Sequence, residues 1–149
     1  VYPYRGLRGT DAFGSGQFGA ARSRNGVHYS HKGLDFVSVP GDEVRSPFAG
    51  LVTRLGWAYA NSPLRSIHLM SVSPVSDDAS LRCKLLYGEP VPELGVGATV
   101  AAGQRIGTCQ DVAARHGAGM TNHLHVELYV GDELVDPNEW FDLPEPEWP

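Results

Sequence analysis

Two histidines separated by one leucine, His123 and His125 in NHLHVEL (122–128), are the first residues in this sequence whose spacing suggests chemistry. On a β-strand that spacing puts both imidazoles on one face, while Leu124, Val126 and Leu128 fill the other. Imidazole nitrogen is both a metal ligand and an acid–base group near neutral pH. A second pair, His31 and Asp35, frames the segment HKGLD, where Gly33 permits a sharp bend between the two side chains. His31, Asp35 and one histidine of HLH together supply two nitrogens and one oxygen, a three-ligand set for Zn2+. Three protein ligands leave the fourth tetrahedral position for water or substrate, which is the catalytic rather than the structural arrangement of zinc. The other HLH histidine then stands beside the metal as a general base or transition-state stabiliser. Taken singly, His-x-x-x-Asp and His-x-His also arise from ordinary polar alternation, so spacing alone does not choose between the two readings.

The elements that must position these residues read as mostly β. Glycine (18) and proline (11) punctuate short apolar runs. LDFVSV (34–39), AGLVTRLGW (49–57), SIHLMSV (66–72), LRCKLLY (81–87), QRIGTC (104–109) and HLHVELYV (123–130) have the composition of strands. YVGDELVD predicts a hairpin turning at Gly131-Asp132. QDVAARHG predicts the one helix inside the domain, stopped by Gly117. DPNEWF predicts a single helical turn, with Asp136 capping and Pro137 at the first helical position. The expected architecture is a single, mostly β domain with little helix. Its core spans about residues 13–141. The Gly- and Arg-rich residues 1–26 and an extended, acidic, Pro-rich tail at 142–149 are expected to be loosely attached ends.

Composition bounds the function. The chain has 149 residues, 42% of them hydrophobic, enough for one domain with a core. The formal charge of −5 argues against nucleic acid as a partner. No apolar run is long enough to span a membrane. VYPYRGLRGT lacks the apolar centre of a signal peptide, so the expectation is a processed secreted chain or one made without such a signal. Cys83 and Cys109 lie 26 residues apart, too far for a zinc knuckle, which leaves either a disulfide between neighbouring strands or two buried thiols.

HKGLDFVSVPGDEVRSPFAGLV, followed far downstream by NHLHVEL and VDPNEWF, resembles the lysostaphin/LytM-type zinc endopeptidases of bacterial cell walls. The resemblance covers roughly residues 13–141. It implies a single compact antiparallel β-sheet or barrel-like domain with a zinc-containing groove, the zinc held by His31, Asp35 and His125, with His123 as a catalytic histidine. It implies hydrolysis of peptide cross-links in peptidoglycan, often glycine-containing ones. One position departs from the pattern. The family places a further catalytic histidine in a Tyr-x-His-Leu segment ahead of the stretch that here reads LGVGATVAAGQRIGT. Here the segment is LLYGEP, with Tyr87 matching and Glu89 where histidine is expected. In this respect the chain is similar to the leukocyte cell-derived chemotaxin-like branch, which keeps the zinc ligands and is thought to bind rather than cut. Tyr87 and Glu89, two apart, are expected to face the metal together, with Glu89 acting as a base or an acidic lid and Glu89→His raising cleavage.

Other candidates flank the site. His116, on the loop just before HLH, and Tyr87 are the candidate substrate contacts, and Trp57 and Tyr59 could line the same groove, although core packing suits Trp57 better. His28 and His68 carry ordinary surface or strand roles more readily than catalytic ones. The loops near 57–65 and 111–121 are expected to flank the metal. Two functions follow. One is a zinc-dependent peptidoglycan endopeptidase, weakened by Glu89. The other is a non-catalytic, zinc-containing module that binds cell-wall stem peptide, a cross-bridge or a protein partner. The expected setting is extracellular, periplasmic or cell-wall-facing, and a virion-associated place in a phage tail would also suit it.

Overall fold

A computed structural model describes residues 1–76 and 79–147. Trp148 and Pro149, the end of the expected acidic tail, lie outside the described residues. Among the described residues there are fourteen strands, and every pairing between them is antiparallel. Two small hairpins come first: β1 (Thr10–Asp11) with β2 (Gly14–Ser15), and β3 (Ala21–Arg24) with β4 (Val27–Ser30). Then follow β5 (Leu34–Val37), β6 (Glu43–Arg45), β7 (Gly50–Trp57), β8 (Arg65–Ser76), β9 (Ala79–Leu86), β10 (Gly88–Pro90), β11 (Thr99–Val100) and β12 (Arg105–Cys109). A one-turn helix α1 (Ala113–His116) precedes the long β13 (His123–Val130) and its partner β14 (Glu133–Val135), and a 3-10 turn closes at Pro137–Glu139. No helix among the described residues is long and apolar enough to cross a membrane.

The main sheet runs β11-β7-β8-β9-β13-β14, and β5 also pairs with β13. A second sheet, β10-β12-β6, contributes Val44 and Ile106 to the same apolar core. Alternation along β13 explains how one strand serves both core and site. Leu124, Val126 and Leu128 are buried with Leu34, Phe36, Ile67, Leu69 and Leu85, while His123 and His125 turn to the opposite face. Burying each of those apolar side chains stabilises the fold by roughly 1.5–3 kcal/mol.

The local signals in the sequence account for the ends of the elements. Gly131-Asp132 makes the two-residue turn between Val130 and Glu133, with Gly131 at φ 58°. Gly117 ends α1 at φ 95°. The Asp136 side chain accepts a hydrogen bond from the Asn138 N–H, with Pro137 at the start of the turn. Cys83 and Cys109 are free and buried, and burial pushes their thiols up to about 12 and about 11.

Three expectations need correcting. The N-terminal segment is not a loose end: Tyr2 bridges to Glu43, Leu7 to Phe36, and the Arg8 side chain is 2% exposed. The Tyr4 carbonyl accepts from the Glu147 N–H, so the two ends of the described chain lie against each other. Residues 21–30 form a hairpin because Asn25 and Gly26 both hold positive φ, 52° and 79°, as a primed two-residue turn demands. Trp57 is not in the core. It is 59% exposed, with the Arg65 guanidinium 4.2 Å above its ring.

Candidate metal centre

The site is built from a register. His125 on β13 lies directly opposite Asp35 on β5, and the same face of β13 carries His123, so three of its polar groups come from two adjacent strands. His31 enters from the loop just before β5. Its position is fixed by backbone bonds from its own N–H to Ala20 and from Gly19 to its carbonyl. Gly33 sits in a bend just before β5, as expected, and it also permits a close approach. A Cβ there would lie 2.5 Å from the Val126 carbonyl oxygen and 2.7 Å from the His125 ring. Gly33→Ala is therefore expected to displace that ring, costing about 1–3 kcal/mol of stability and weakening metal binding. Urea unfolding and zinc competition would measure it, and native values in both would refute it.

Three ligand atoms converge. His31 Nε2 is 3.1 Å from His125 Nδ1 and 3.3 Å from Asp35 Oδ1, and His125 Nδ1 is 2.9 Å from Asp35 Oδ1. All three residues are buried. Their other polar atoms are already committed. His31 Nδ1 lies 2.9 Å from the Gln17 carbonyl, which can only accept, so the proton is on Nδ1 and Nε2 is bare. His125 Nε2 donates to the Glu127 carboxylate at 3.2 Å, so a neutral His125 has Nδ1 bare, whereas a protonated one also donates from Nδ1 to Asp35 at 2.9 Å. Asp35 Oδ2 accepts from Arg8 Nη1 at 2.8 Å, leaving Oδ1. With His125 neutral, two bare imidazole nitrogens and a carboxylate oxygen face one another. Such a set is repulsive until a proton on His125 Nδ1 or a metal cation lies among the three. Tetrahedral bonds of zinc length would set the ligand atoms about 3.3 Å apart, close to the distances seen. The donor set fits Zn2+.

Without a metal, a proton on His125 takes the cation's place. Burial works against the charge on Asp35, yet hydrogen bonds from His125 and His31 outweigh it and hold the carboxyl far below its usual range. Burial would lower His125, but the Asp35 and Glu127 carboxylates lift it to about 9. Burial lowers His123, and Asp35 only partly offsets this. His123 Nδ1 donates to the Thr121 carbonyl at 2.7 Å, leaving Nε2 bare and 3.5 Å from Asp35 Oδ2.

A cleft of about 440 Å³ opens over these groups. Its walls include Phe13, Tyr29, Tyr59, Tyr87, His116 and Met120. The loops at 57–65 and 111–121 both contribute, through Tyr59 and through His116 and Met120, as the sequence predicts. Tyr87 stands edge-on to His123 with ring centroids 5.3 Å apart, and its hydroxyl bonds that of Tyr59. Burial and Tyr59 keep the Tyr87 phenol protonated. His116 packs against Phe13, Tyr59 and Tyr87, and its Nε2 has no hydrogen-bond partner among the described residues. His28 is exposed on β4. His68 bonds the Ser66 hydroxyl and does not line this cleft, and burial with nearby Lys84 and Arg54 lowers it to about 4.

Glu89 does not reach the site, contrary to expectation. Tyr87 has φ 75°, a left-handed conformation that interrupts the strand alternation, so residues 87 and 89 do not share a face. Glu89 instead belongs to β10, opposite Thr108. Its carboxylate is half exposed, bonded to Arg65 at 3.5 Å and to Gln110 at 3.2 Å, and it is absent from the cleft lining. Tyr87 is the side chain that LLYGEP offers to the metal face. Two contributors went unforeseen in the sequence. Arg8 forks onto Asp11 at 2.9 and 2.8 Å while bonding Asp35, and Glu127 supports His125. The Arg-x-x-Asp spacing of residues 8–11 and the third position of His-x-Glu in 125–127 are the only sequence signals for them.

A model of peptidase family M23 matches residues 29–137. The chain belongs to that family. Myeloid protein 1 of Gallus gallus is 31% identical over 130 residues, covering 84% of this chain and 35% of that protein. This M23 chain thus spans about a third of the length of its curated relative, and the match places it with the chemotaxin-like branch. Among solved structures, the catalytic domain of the antimicrobial peptidase lysostaphin from Staphylococcus simulans is 25% identical, with a TM-score of 0.63, covering 85% of this chain and 89% of that one. LytU, at 22% identity and a TM-score of 0.66, covers 98% and 92%, and shares the fold. A zinc containing peptidase from Vibrio cholerae shares it too, at 22% identity and 0.66, covering 97% and 39%.

Proposed function

We propose that this M23 domain is a zinc-dependent endopeptidase acting on the peptide of bacterial cell walls, with a weakened catalytic set. The observation that carries the reading is the convergence of three buried ligand atoms, from His31, Asp35 and His125, beside the Nε2 of His123. Zinc held there supplies Lewis-acid activation of water and of a peptide carbonyl. His123, its ring fixed by the Thr121 carbonyl, takes a proton from the attacking water at Nε2. Tyr87 donates its phenolic hydrogen to the developing oxyanion. A single phenol does less than an imidazolium would, and one missing donor in such a site costs roughly 10²–10³ in rate. His116, with Nε2 free, and the aromatic walls orient an extended peptide.

Cell-wall stem peptide or cross-bridge is the substrate class, by analogy with lysostaphin, an antimicrobial peptidase. The setting is extracellular, periplasmic or wall-facing, with a phage tail as one assembly that would present it there. A second reading, a zinc-containing module that binds wall peptide without cutting it, is favoured by one observation: Tyr87 rather than a second histidine faces His123.

The test is release of new amino termini from purified cell walls. Slow, zinc-dependent release is expected, abolished by a chelator and by His123→Ala, and raised by Tyr87→His. Equal release with and without chelator, or by His123→Ala, would overturn the enzymatic reading. Zinc-loaded protein that sediments with walls yet releases nothing, even as Tyr87→His, would establish the binding module.

A further inference from the structure

His125, Glu127 and Tyr129 alternate along β13 and therefore share the metal-facing side of the sheet. Their contacts form a chain. Tyr129 Oη donates to Glu127 Oε2 at 2.7 Å, and Glu127 Oε1 accepts from His125 Nε2 at 3.2 Å. Lys84, opposite Glu127 on β9, brings its ammonium to 3.9 Å from Oε2 and to 5.2 Å from the centre of the Tyr129 ring. The Glu127 side chain is only 12% exposed, so both oxygens are held from both sides. To ligate a metal through Nδ1, His125 must carry its one remaining proton on Nε2, where the Glu127 carboxylate accepts it. Without an acceptor at Nε2, the imidazole is free to carry its proton on Nδ1, where it would meet the other two ligand atoms.

We propose that Glu127 is a positioning residue of the metal site, fixing the tautomer and ring orientation of His125 from behind, with Tyr129 holding Glu127 in turn. Each ligand then has its own support: the Gln17 carbonyl for His31, the Arg8 guanidinium for Asp35, and the Glu127 carboxylate for His125. Such partners typically change metal affinity by about 10–100-fold when removed. The role requires an acceptor at a given place rather than a negative charge. Glutamine keeps that acceptor, whereas aspartate keeps the charge but withdraws it by one methylene.

This inference rests on the zinc reading of the site, so the experiment reads metal binding and not hydrolysis. Zinc affinity is measured on the intact chain by competition with a chromophoric chelator, and the visible spectrum of the cobalt-substituted protein is recorded for each variant. Glu127→Met, matched in size, is expected to weaken zinc by about 10–100-fold and to alter the cobalt bands. Glu127→Asp should fall nearly as far, Glu127→Gln should stay within a few-fold of native, and Tyr129→Phe should lose a few-fold. Native affinity and an unchanged cobalt spectrum in Glu127→Met would overturn the proposal while leaving the metal site standing. So would Glu127→Asp binding like native while Glu127→Gln fails, since charge rather than placement would then be at work. A native chain that takes up neither zinc nor cobalt would instead overturn the zinc reading itself.

Discussion

His31→Ala and His125→Ala are each expected to abolish stoichiometric zinc. Either change removes one of three buried ligand atoms that lie within 3.3 Å of one another, leaving two. Two protein ligands hold a borderline-soft cation far less well than three, and the gap vacated by a histidine ring is buried, so water replaces the nitrogen poorly. The loss should exceed the roughly 10–100-fold that removal of a supporting partner costs. Metal analysis after gel filtration reads it directly, with one zinc per native chain and none in the variants. Unfolding gives an independent check, because a ligand that binds the folded state alone raises its stability. Zinc should raise the native midpoint and leave both variants unmoved. A His31→Ala chain that retains one zinc at native affinity would show that the metal lies elsewhere.

Much of this site is legible in the residues that supply its ligands, and the reason is periodicity. Leu124, Val126 and Leu128 identify the core face of β13 by their alternation, which assigns His123 and His125 to the other face without any tertiary information. Gly131-Asp132 and Asp136-Pro137 are legible for a similar reason, since a primed turn and a capped helical start each depend on two neighbouring residues. The pairing of His125 with Asp35 is a different kind of fact. Ninety residues separate them, and only the register of β5 on β13 makes them neighbours.

What stayed illegible depends on conformations that the local residue type does not announce. A tyrosine at φ 75° gives no warning in the sequence, and a strand read straight through Tyr87 carries Glu89 to the wrong side. The backbone there is tied at both ends, from the Tyr87 N–H to the Arg65 carbonyl and from the Gln110 N–H to the Tyr87 carbonyl. Tertiary hydrogen bonds therefore hold a conformation that a bulky side chain disfavours, a pattern that tends to fall at functional sites. Arg8 is hidden by its surroundings in the sequence, since a Gly- and Arg-rich stretch reads as a solvated end. Gly16 is the clue in the fold: a Cβ there would sit 2.7 Å from Arg8, so the chain must pass tightly around that side chain.

Arg8→Met is expected to destabilise the domain by about 3–5 kcal/mol in the presence of chelator, the cost of breaking a buried ion pair from one side. The guanidinium is 2% exposed and serves three acceptors: Asp11 through both carboxylate oxygens, Asp35 Oδ2 and the Gly14 carbonyl. Methionine preserves much of the volume and leaves two carboxylates without their cation. For a chain of this length the midpoint of thermal unfolding should fall by roughly 10 °C. Arg8→Lys should recover only part of it, because a single ammonium cannot fork onto three partners. Zinc should narrow the gap, since it would supply Asp35 with a second positive charge that Arg8 no longer provides. The pH dependence follows from the same pairs. Asp11, through its bonds from Arg8, and Asp35, through those from its histidines, ionise well below the unfolded value of about 4. Their contribution is therefore in place above that pH and is lost as the pH falls through and below it. Native protein should lose stability steeply on acidification from pH 5, and Arg8→Met, already lacking the pairing, should show a shallower slope. Equal midpoints for native and Arg8→Met in chelator at pH 7 would mean that the strap from the N-terminal segment does not hold Asp35 in place.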